Sequence, residues 1–472
     1  MTHQNNQQKF TVPGPWAAVA AFVAAFVFFQ FFYPYHLVRR EQMTLFVFDW
    51  DYIFQTYRGD GWLARLASDF LEQFFHLPVV GPLVVALLLT GIGTVAYKIS
   101  RHFLGCWPSL GIGAAFYIWS FFRETGNLYI TRYTVVMLAY LALVLLALQF
   151  KRAWLKPVAA AALLAAGAWA LGAPFHQYYG KAWGMPLLNY DRVIGLDAEV
   201  ARERWDKVLR LSKKDLYMTE ASYCYNLAHA MKGDLSQALF NHSQNGTAGL
   251  LIRISTSRSV FSNCMAGEAW FQAGDMTVAE QGAIIALQAS PKHTGARYLV
   301  RLARVNLASG EDAAAQKYLD LLSKTLFYGK WARSVMPGRQ DEATRARLAE
   351  QRAHLAQRDF VHHSDAPRDV LTNLLAADPS NTVAREYLRC YDLMNLDLDH
   401  FMEDYTLSPD PSPVYHQAAL IWLSLQDRLS EEDLARYGIA ASELDQMGRF
   451  FRSPSRYKNT YWYYYLQATE NE

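Results

Sequence analysis

The sequence predicts an all-α protein in two parts: a five-helix transmembrane bundle (residues 1–175) followed by an α-solenoid (residues 176–472). Over all 472 residues, a net charge of +2 and a mean hydropathy of −0.04 are typical of a soluble protein. The charges are unevenly distributed, however, because Lys, Arg, Asp and Glu make up about 11% of the residues before His176 and about 23% after it. The first part is therefore expected in lipid and the second in water. The 45 basic and 43 acidic residues leave no surplus to neutralise phosphates, so we expect no nucleic-acid partner.

Five apolar runs in the first part are each long enough to cross a bilayer as a helix. Their interiors lack Lys, Arg, Asp and Glu, which are costly at the centre of a membrane. The predicted spans cover approximately residues 16–35, 79–97, 103–122, 133–150 and 155–175. An odd number of spans places the two ends of the chain on opposite sides of the membrane.

The orientation follows from the basic residues beside the spans. One side of the predicted bundle carries basic residues only: Lys9, Lys98, Arg101, Lys151, Arg152 and Lys156. Positive charge is enriched on the cytoplasmic side of membrane proteins. We therefore expect a bacterial inner-membrane protein with a cytoplasmic N-terminus and a periplasmic C-terminal domain.

The first outer loop, residues 36–77, contains a predicted amphipathic helix. Its apolar residues recur at helical spacing: Trp62, Leu63, Leu66, Phe70 and Phe74. The opposite side carries Arg65, Ser68, Asp69 and Glu72. This pattern is typical of a helix that lies flat on a membrane with its polar side in water.

Asp49 and Asp51 lie just before this helix and allow two interpretations. They can be solvated acids beside an interfacial Trp50. Their Asp-x-Asp pattern also resembles the acidic motif of polytopic glycosyltransferases that use lipid-linked sugars. That resemblance implies that the two carboxylates bind a divalent cation or act as a base toward an acceptor. Outside this alternative the sequence predicts no metal site and no cofactor.

Arg123 and Arg132 border the second outer link and also allow two interpretations. An arginine pair at the membrane surface can bind a lipid phosphate, because guanidinium groups match phosphate oxygens in geometry and charge. Alternatively, both side chains extend from helix ends to water beside Tyr129 and Tyr133.

The second part contains a helical repeat. Three Gly residues, at 233, 274 and 310, are each followed five residues later by Ala, at 238, 279 and 315. The middle copy resembles a tetratricopeptide repeat. The positions that carry this resemblance are Gly267, Trp270, Gly274, Ala279, Ala286 and Pro291. In this resemblance Gly267 and Ala279 let two helices approach closely, Trp270 fills the gap between them, and Gly274 forms a left-handed turn.

Other segments fit the repeat less well. Asp378-Pro379 marks a further break between helices. Residues 330–365 interrupt the pattern, and His362-His363 within them is expected to be a solvated loop. Stacked helical pairs form a curved surface that can bind a peptide or a helix, which predicts a protein partner.

The whole layout resembles a family of multi-pass bacterial membrane proteins of unknown function, of Bacteroidetes type. The residues that carry the resemblance are Pro34-Tyr35-His36-Leu37, Glu41-Gln42, Leu45-Phe46, Gly61, Phe70-Leu71, Gln73-Phe74-Phe75 and Tyr415-His416-Gln417-Ala418.

Our leading hypothesis is a membrane-anchored scaffold that binds a partner protein outside the cytoplasm. The alternative is a transferase acting on a lipid-linked donor through Asp49 and Asp51. A small-molecule substrate is not identified by the sequence.

Overall fold

The computed structural model describes residues 14–126, 130–172, 188–214, 216–242, 244, 246–353, 355 and 360–470. Within these ranges the protein consists of helices joined by turns and contains no β-strand, which confirms the all-α prediction. The chain divides into two compact units. Unit 1 comprises residues 1–191 and 324–329, and unit 2 comprises residues 192–323 and 330–472.

Unit 1 contains the apolar helices and the first outer loop. Its helices in chain order are α1 (Gly14–Val27), α2 (Pro34–Met43), α3 (Trp50–Thr56), α4 (Trp62–Glu72), α5 (Val80–Ser100), α6 (Cys106–Gly126), α7 (Ile130–Leu148) and α8 (Leu155–Leu171). α1 continues through a π-helical turn, Phe28–Phe32. α5 packs against α1, α6 and α7, and α7 packs against α8. α5 is therefore the central helix of this unit.

Three helical segments among the described residues are long and apolar enough to cross a membrane: Pro15–Phe32, Val80–Ser100 and Thr131–Leu148. α8 is apolar as well but has 17 residues. α6 has 21 residues, and Arg123, Glu124 and Thr125 lie in its last turn before Gly126. Large apolar side chains of α1 face outward, with Trp16 76% exposed. An apolar outer surface of this kind is stable in contact with lipid.

The amphipathic helix of the outer loop is present, but its polar side does not face water. α4 buries Ser68, Asp69 and Glu72, whereas Leu63 and Phe70 are each 39% exposed. The expectation that Ser68, Asp69 and Glu72 face water is therefore wrong, whereas contact of the apolar side with a membrane stays a prediction. The physical reason is that the buried polar side meets other charged groups inside unit 1, which stabilise it as water would.

Unit 2 consists of shorter helices in sequential pairs. The helices are α9 (Leu188–Ala201), which begins in unit 1, α10 (Trp205–Ser212), α11 (Thr219–Ala230), α12 (Leu235–Leu239), α13 (Val260–Ala273), α14 (Met276–Ala289), α15 (Ala296–Ser309), α16 (Asp312–Ser323), α17 (Gly329–Val335), α18 (Glu342–Ala353), α19 (Pro367–Ala377), α20 (Thr382–Met394), α21 (Leu398–Leu407), α22 (Pro413–Leu425), α23 (Glu431–Arg436), α24 (Ala441–Arg452) and α25 (Tyr461–Glu470). Consecutive helices pack together from α13 to α16 and from α19 to α22.

The segment 330–365 is more ordered than expected. It contains α18 and most of α17, and Leu348 of α18 is buried. His362 is not a solvated loop residue, because its ring stacks on Phe360 and its Nδ1 lies 2.7 Å from Asp275 Oδ2.

Candidate functional site

A buried cluster of charges in unit 1 joins residues that are far apart in the sequence. Arg40 of α2 donates hydrogen bonds to Glu124 Oε2 at 2.6 Å and to Glu72 Oε1 at 3.2 Å. It also donates to the hydroxyl oxygen of Thr131, and Thr134 donates to Glu124 Oε1 at 2.6 Å. The side chains of Arg40 and Glu124 are fully buried. We call Arg40, Glu72, Glu124, Thr131 and Thr134 the arginine cluster.

Burial within the arginine cluster alters the pKa of Glu72, the carboxyl group that comes from the outer loop. Burial raises the pKa of Glu72 to about 7, although the positive charge of Arg40 acts in the opposite direction. Burial also disfavours the charged form of Arg40, but the attraction of Glu124 and Glu72 outweighs this, and the pKa of Arg40 is raised. Arg40 therefore stays ionised, and Glu72 titrates near neutral pH.

The outer loop and Tyr33, which precedes α2, pack at one end of the apolar helices. Tyr33 Oη donates to the carbonyl of Thr125 in α6 at 3.1 Å. The amide of Gly61 donates to the carbonyl of Trp169 in α8 at 3.3 Å. Gly61 has a φ of +72°, and a Cβ added to it would lie 3.0 Å from Arg132 Nη2. This close packing explains why a glycine precedes α4.

Asp49 and Asp51 are held by the start of a short helix. Asp49 caps α3 by accepting the amide of Tyr52 at 3.0 Å. It also accepts a hydrogen bond from Lys324 Nζ at 2.7 Å, which holds the pKa of Asp49 below its usual value. Asp51 lies exposed in the first turn of α3. Among the described residues no group of three His, Cys, Asp or Glu side chains could hold a metal ion.

Arg123 lies near the C-terminal end of α6 beside a cavity. Only 8% of the residue is exposed, and its guanidinium carbon lies 5.7 Å from the ring centre of Trp119 and 5.4 Å from that of Tyr133. The cavity has a volume of about 600 Å³ and is lined by α6, α7 and α8. Arg132 is not part of the lining and instead approaches Gly61. The structure therefore gives the two arginines different environments.

The repeat residues of unit 2 lie in and around helical hairpins. Gly274 joins α13 to α14 with a φ of +97°, and a Cβ on Gly267 would lie 3.1 Å from the carbonyl oxygen of Ala279. Trp270, Ala279 and Ala286 are fully buried. Pro291 follows α14 in a 3-10 turn.

The other repeat residues occupy similar turns and buried sites. Gly233 and Gly310 have φ values of +73° and +81° and join α11 to α12 and α15 to α16. Ala238 and Ala315 are buried, and Pro379 lies exposed between α19 and α20.

A second buried charge network crosses unit 2 along α15. Glu268 of α13 accepts hydrogen bonds from Arg301 and, at 2.8 Å, from Arg297. Arg297 also donates to Asp197 of α9 at 3.1 Å. Burial alone would raise the pKa of Glu268, but the two guanidiniums outweigh it and hold this pKa below its usual value. The network thereby ties α9, α13 and α15 together.

Arg304 lies on the same face of α15 as Arg297 and Arg301. Its side chain lines a groove of about 370 Å³. α13, α15, α17 and α18 all contribute to its lining. The lining includes Phe271, Met276, Arg304, Trp331, Arg347 and Leu348. Arg304 donates to Glu203 at 3.0 Å and lies over the Trp331 ring at 5.7 Å. Burial, and then repulsion by Arg301, lowers the pKa of Arg304.

Sequence reasoning did not identify the arginine cluster or this groove. A signal for the cluster was present, because Arg40 and Glu124 are charged residues next to apolar runs, where unpaired charges are costly. Their pairing could not be read from the sequence, since 84 residues separate them. The groove depends on α17 and α18, which lie in the segment that interrupts the repeat.

These features define an all-helical protein with several possible membrane-spanning helices and a second unit of helical hairpins. The chain belongs to the family of unknown function DUF6057, whose matches cover residues 10–184 and 176–468. This confirms the expectation of an uncharacterised family. No curated protein and no solved structure matches the chain.

Proposed function

We propose that the protein is a multi-pass membrane scaffold whose tetratricopeptide-like unit 2 binds a segment of a partner protein. The groove beside Arg304 is the observation that carries this proposal. Its lining combines Trp331, Phe271 and Met276 with two arginines, and aromatic residues, Met and Arg are enriched at protein interfaces. Apolar anchors of a partner would be buried there, while the charged rim would fix their orientation.

The groove has a packed and hydrogen-bonded base, which favours binding of a defined segment. Arg352 of α18 donates to the carbonyl of Leu307 at the end of α15 at 2.8 Å. Leu307 and Leu348 are buried at the base of the groove. A site that exists before binding loses less conformational entropy when the partner arrives.

A site-specific crosslinker tests this proposal in the full-length protein in its native membrane. A photoreactive residue at Gln351, in the groove, should give a discrete adduct that Trp331→Ala removes. The matched control is the same residue at Gln316, a half-buried position of α16 outside the groove. The proposal fails if both positions give the same adducts, or if the Gln351 adduct persists in a folded Trp331→Ala variant.

The proposed membrane arrangement has five spans, a cytoplasmic N-terminus and a periplasmic unit 2. It is supported by the contacts of the outer loop with the ends of α6 and α8. If α6 did not cross, Glu124 would lie on the opposite side of the membrane from Arg40, yet the two side chains are 2.6 Å apart.

The rival proposal is a transferase that uses Asp49 and Asp51. The contacts of Asp49 support a structural role, because its carboxylate caps α3 and binds Lys324. The two proposals predict different results for Asp51→Asn. This substitution removes an exposed carboxylate and leaves in place the Asp49 carboxylate that caps α3. A transferase would lose activity in this variant, whereas a scaffold would retain the groove adduct.

A further inference from the structure

Residues 324–329 form a short segment of unit 1 that we call the strap. The strap follows α16 in the sequence and runs into α17. At its beginning, the carbonyl of Lys324 accepts a hydrogen bond from the amide of Phe48 at 2.9 Å. Lys324 Nζ donates to Asp49 Oδ2 at 2.7 Å. Main-chain and side-chain contacts therefore both bind this end of the strap to the outer loop.

The other end of the strap contacts the outer loop through two aromatic residues. The ring of Phe327 stacks on the ring of His76, with the ring centres 4.9 Å apart. Tyr328 Oη donates a hydrogen bond to Glu41 Oε1 at 2.7 Å. The side chain of Glu41 is only 5% exposed, and a buried acceptor that loses its donor is costly. The strap therefore has a specific docking site on the outer loop.

The strap leads directly into a helix of the partner groove. Gly329, its last residue, is also the first residue of α17. α17 has seven residues, and so short a helix is marginally stable without tertiary contacts. Ala332 and Val335 are its buried side chains, and Trp331 and Val335 line the groove. Fixing the residue at which α17 begins therefore limits the positions that Trp331 can take.

A hydrogen bond inside unit 2 joins the chain before and after the strap. Arg333 Nη1 of α17 donates to the carbonyl of Ser323, the last residue of α16, at 2.5 Å. Because this contact connects the two sides of a segment of six residues, a movement of the strap displaces the beginning of α17 as well. The placement of α17 is thus linked to the docking of the strap.

We propose that docking of the strap on the outer loop regulates the partner groove. The docked strap holds Trp331 in the position that binds the partner segment, and release of the strap weakens binding because the site is then less ordered beforehand. Coupling between two sites is reciprocal, so a partner in the groove stabilises the docked strap in turn. This inference rests on the function proposed above and adds its regulation.

Hydrogen exchange in the purified full-length protein tests the link without a partner. Phe327→Ala removes the stack on His76, and Tyr328→Phe removes the hydrogen bond to Glu41. In the double variant, the amides of α17 should exchange about tenfold faster or more, while those of α13 and α14 keep the wild-type rate. Tyr318→Phe, the same change in α16 outside the strap, is the matched control. Unchanged exchange of α17 in a folded double variant overturns the proposal.

The photocrosslink at Gln351 in the native membrane then measures the effect on the groove. The yield of the adduct that depends on Trp331 should fall about tenfold in the double variant. Lys324→Gln is a surface change that leaves the folded core intact, and it should lower the yield about twofold, since exposed ion pairs contribute little. Lys324→Arg should restore the yield, because arginine keeps the positive charge beside Asp49.

The outcomes separate this inference from the proposed function. An adduct that depends on Trp331 but has the same yield in the wild type and the folded double variant overturns the regulation and leaves the scaffold function standing. If the wild type gives no adduct that depends on Trp331, the scaffold function fails and its regulation fails with it.

Discussion

Arg40 joins the outer loop of unit 1 to α6 and α7 through Glu124 and Thr131. Arg40→Gln would leave Glu72 and Glu124 buried without their shared cation, and breaking a buried pair in this way costs about 3–5 kcal/mol of unfolding free energy. We expect a clear fall in the melting temperature of the purified protein. Arg58→Gln, in the same loop but exposed, should change it little. Adding Glu124→Gln to Arg40→Gln should recover part of the loss, and a double variant that loses the full sum would contradict the pairing.

Glu72 should make stability depend on pH near neutrality. Its pKa is about 7 in the folded protein against an ordinary value of 4.5. The unfolded carboxyl therefore releases its proton first, and the folded state loses stability as pH rises from about 4.5 to 7, by up to about 3 kcal/mol. Glu72→Gln should flatten this part of a melting-temperature profile, whereas the exposed Glu342→Gln should not. A slope that is unchanged in Glu72→Gln would contradict the assignment.

At the scale of elements, the α13–α14 hairpin depends on a backbone contact at Gly282. A Cβ at this buried position would lie 2.8 Å from the carbonyl oxygen of Asn263. We expect Gly282→Ala to destabilise the protein by about 1–3 kcal/mol, because the two helices must separate. Gly448, inside α24, has open space around its Cβ position, so Gly448→Ala should stabilise by about 0.4–1 kcal/mol. Thermal unfolding of the two variants should therefore shift in opposite directions.

The elements also show what the sequence could and could not predict. Helical spacing predicted α4 and its two sides, and the position of Gly274 predicted the turn that joins α13 to α14, because both depend on neighbouring residues. The environment of α4 could not be predicted in this way. Its polar side is buried because Arg40 reaches Glu72, and an amphipathic pattern is the same whether its polar side meets water or a buried cation.

At the scale of the whole molecule, the number of membrane-spanning helices determines on which side of the membrane each connecting segment lies. If only α1, α5 and α7 crossed, Arg58 and Arg152 would lie on the same side of the membrane; if α6 and α8 cross as well, they lie on opposite sides. With a cytoplasmic N-terminus, both arrangements would put the end of the chain on the outer side, so a reporter on unit 2 cannot distinguish them. The ion pair between Arg40 and Glu124 favours five spans, because it needs the C-terminal end of α6 beside the outer loop.

Cysteine accessibility separates these two arrangements. In a Cys106→Ser background, which removes the one native cysteine that is not fully buried, single cysteines replace the exposed Arg58 or Arg152. With five spans and a cytoplasmic N-terminus, a membrane-impermeant maleimide should label Arg58→Cys in intact spheroplasts and Arg152→Cys only after permeabilisation. Labelling of both in intact spheroplasts would support three spans and remove α6 and α8 from the membrane. Labelling of Arg152→Cys alone would keep five spans but reverse the orientation, which would place the outer loop in the cytoplasm.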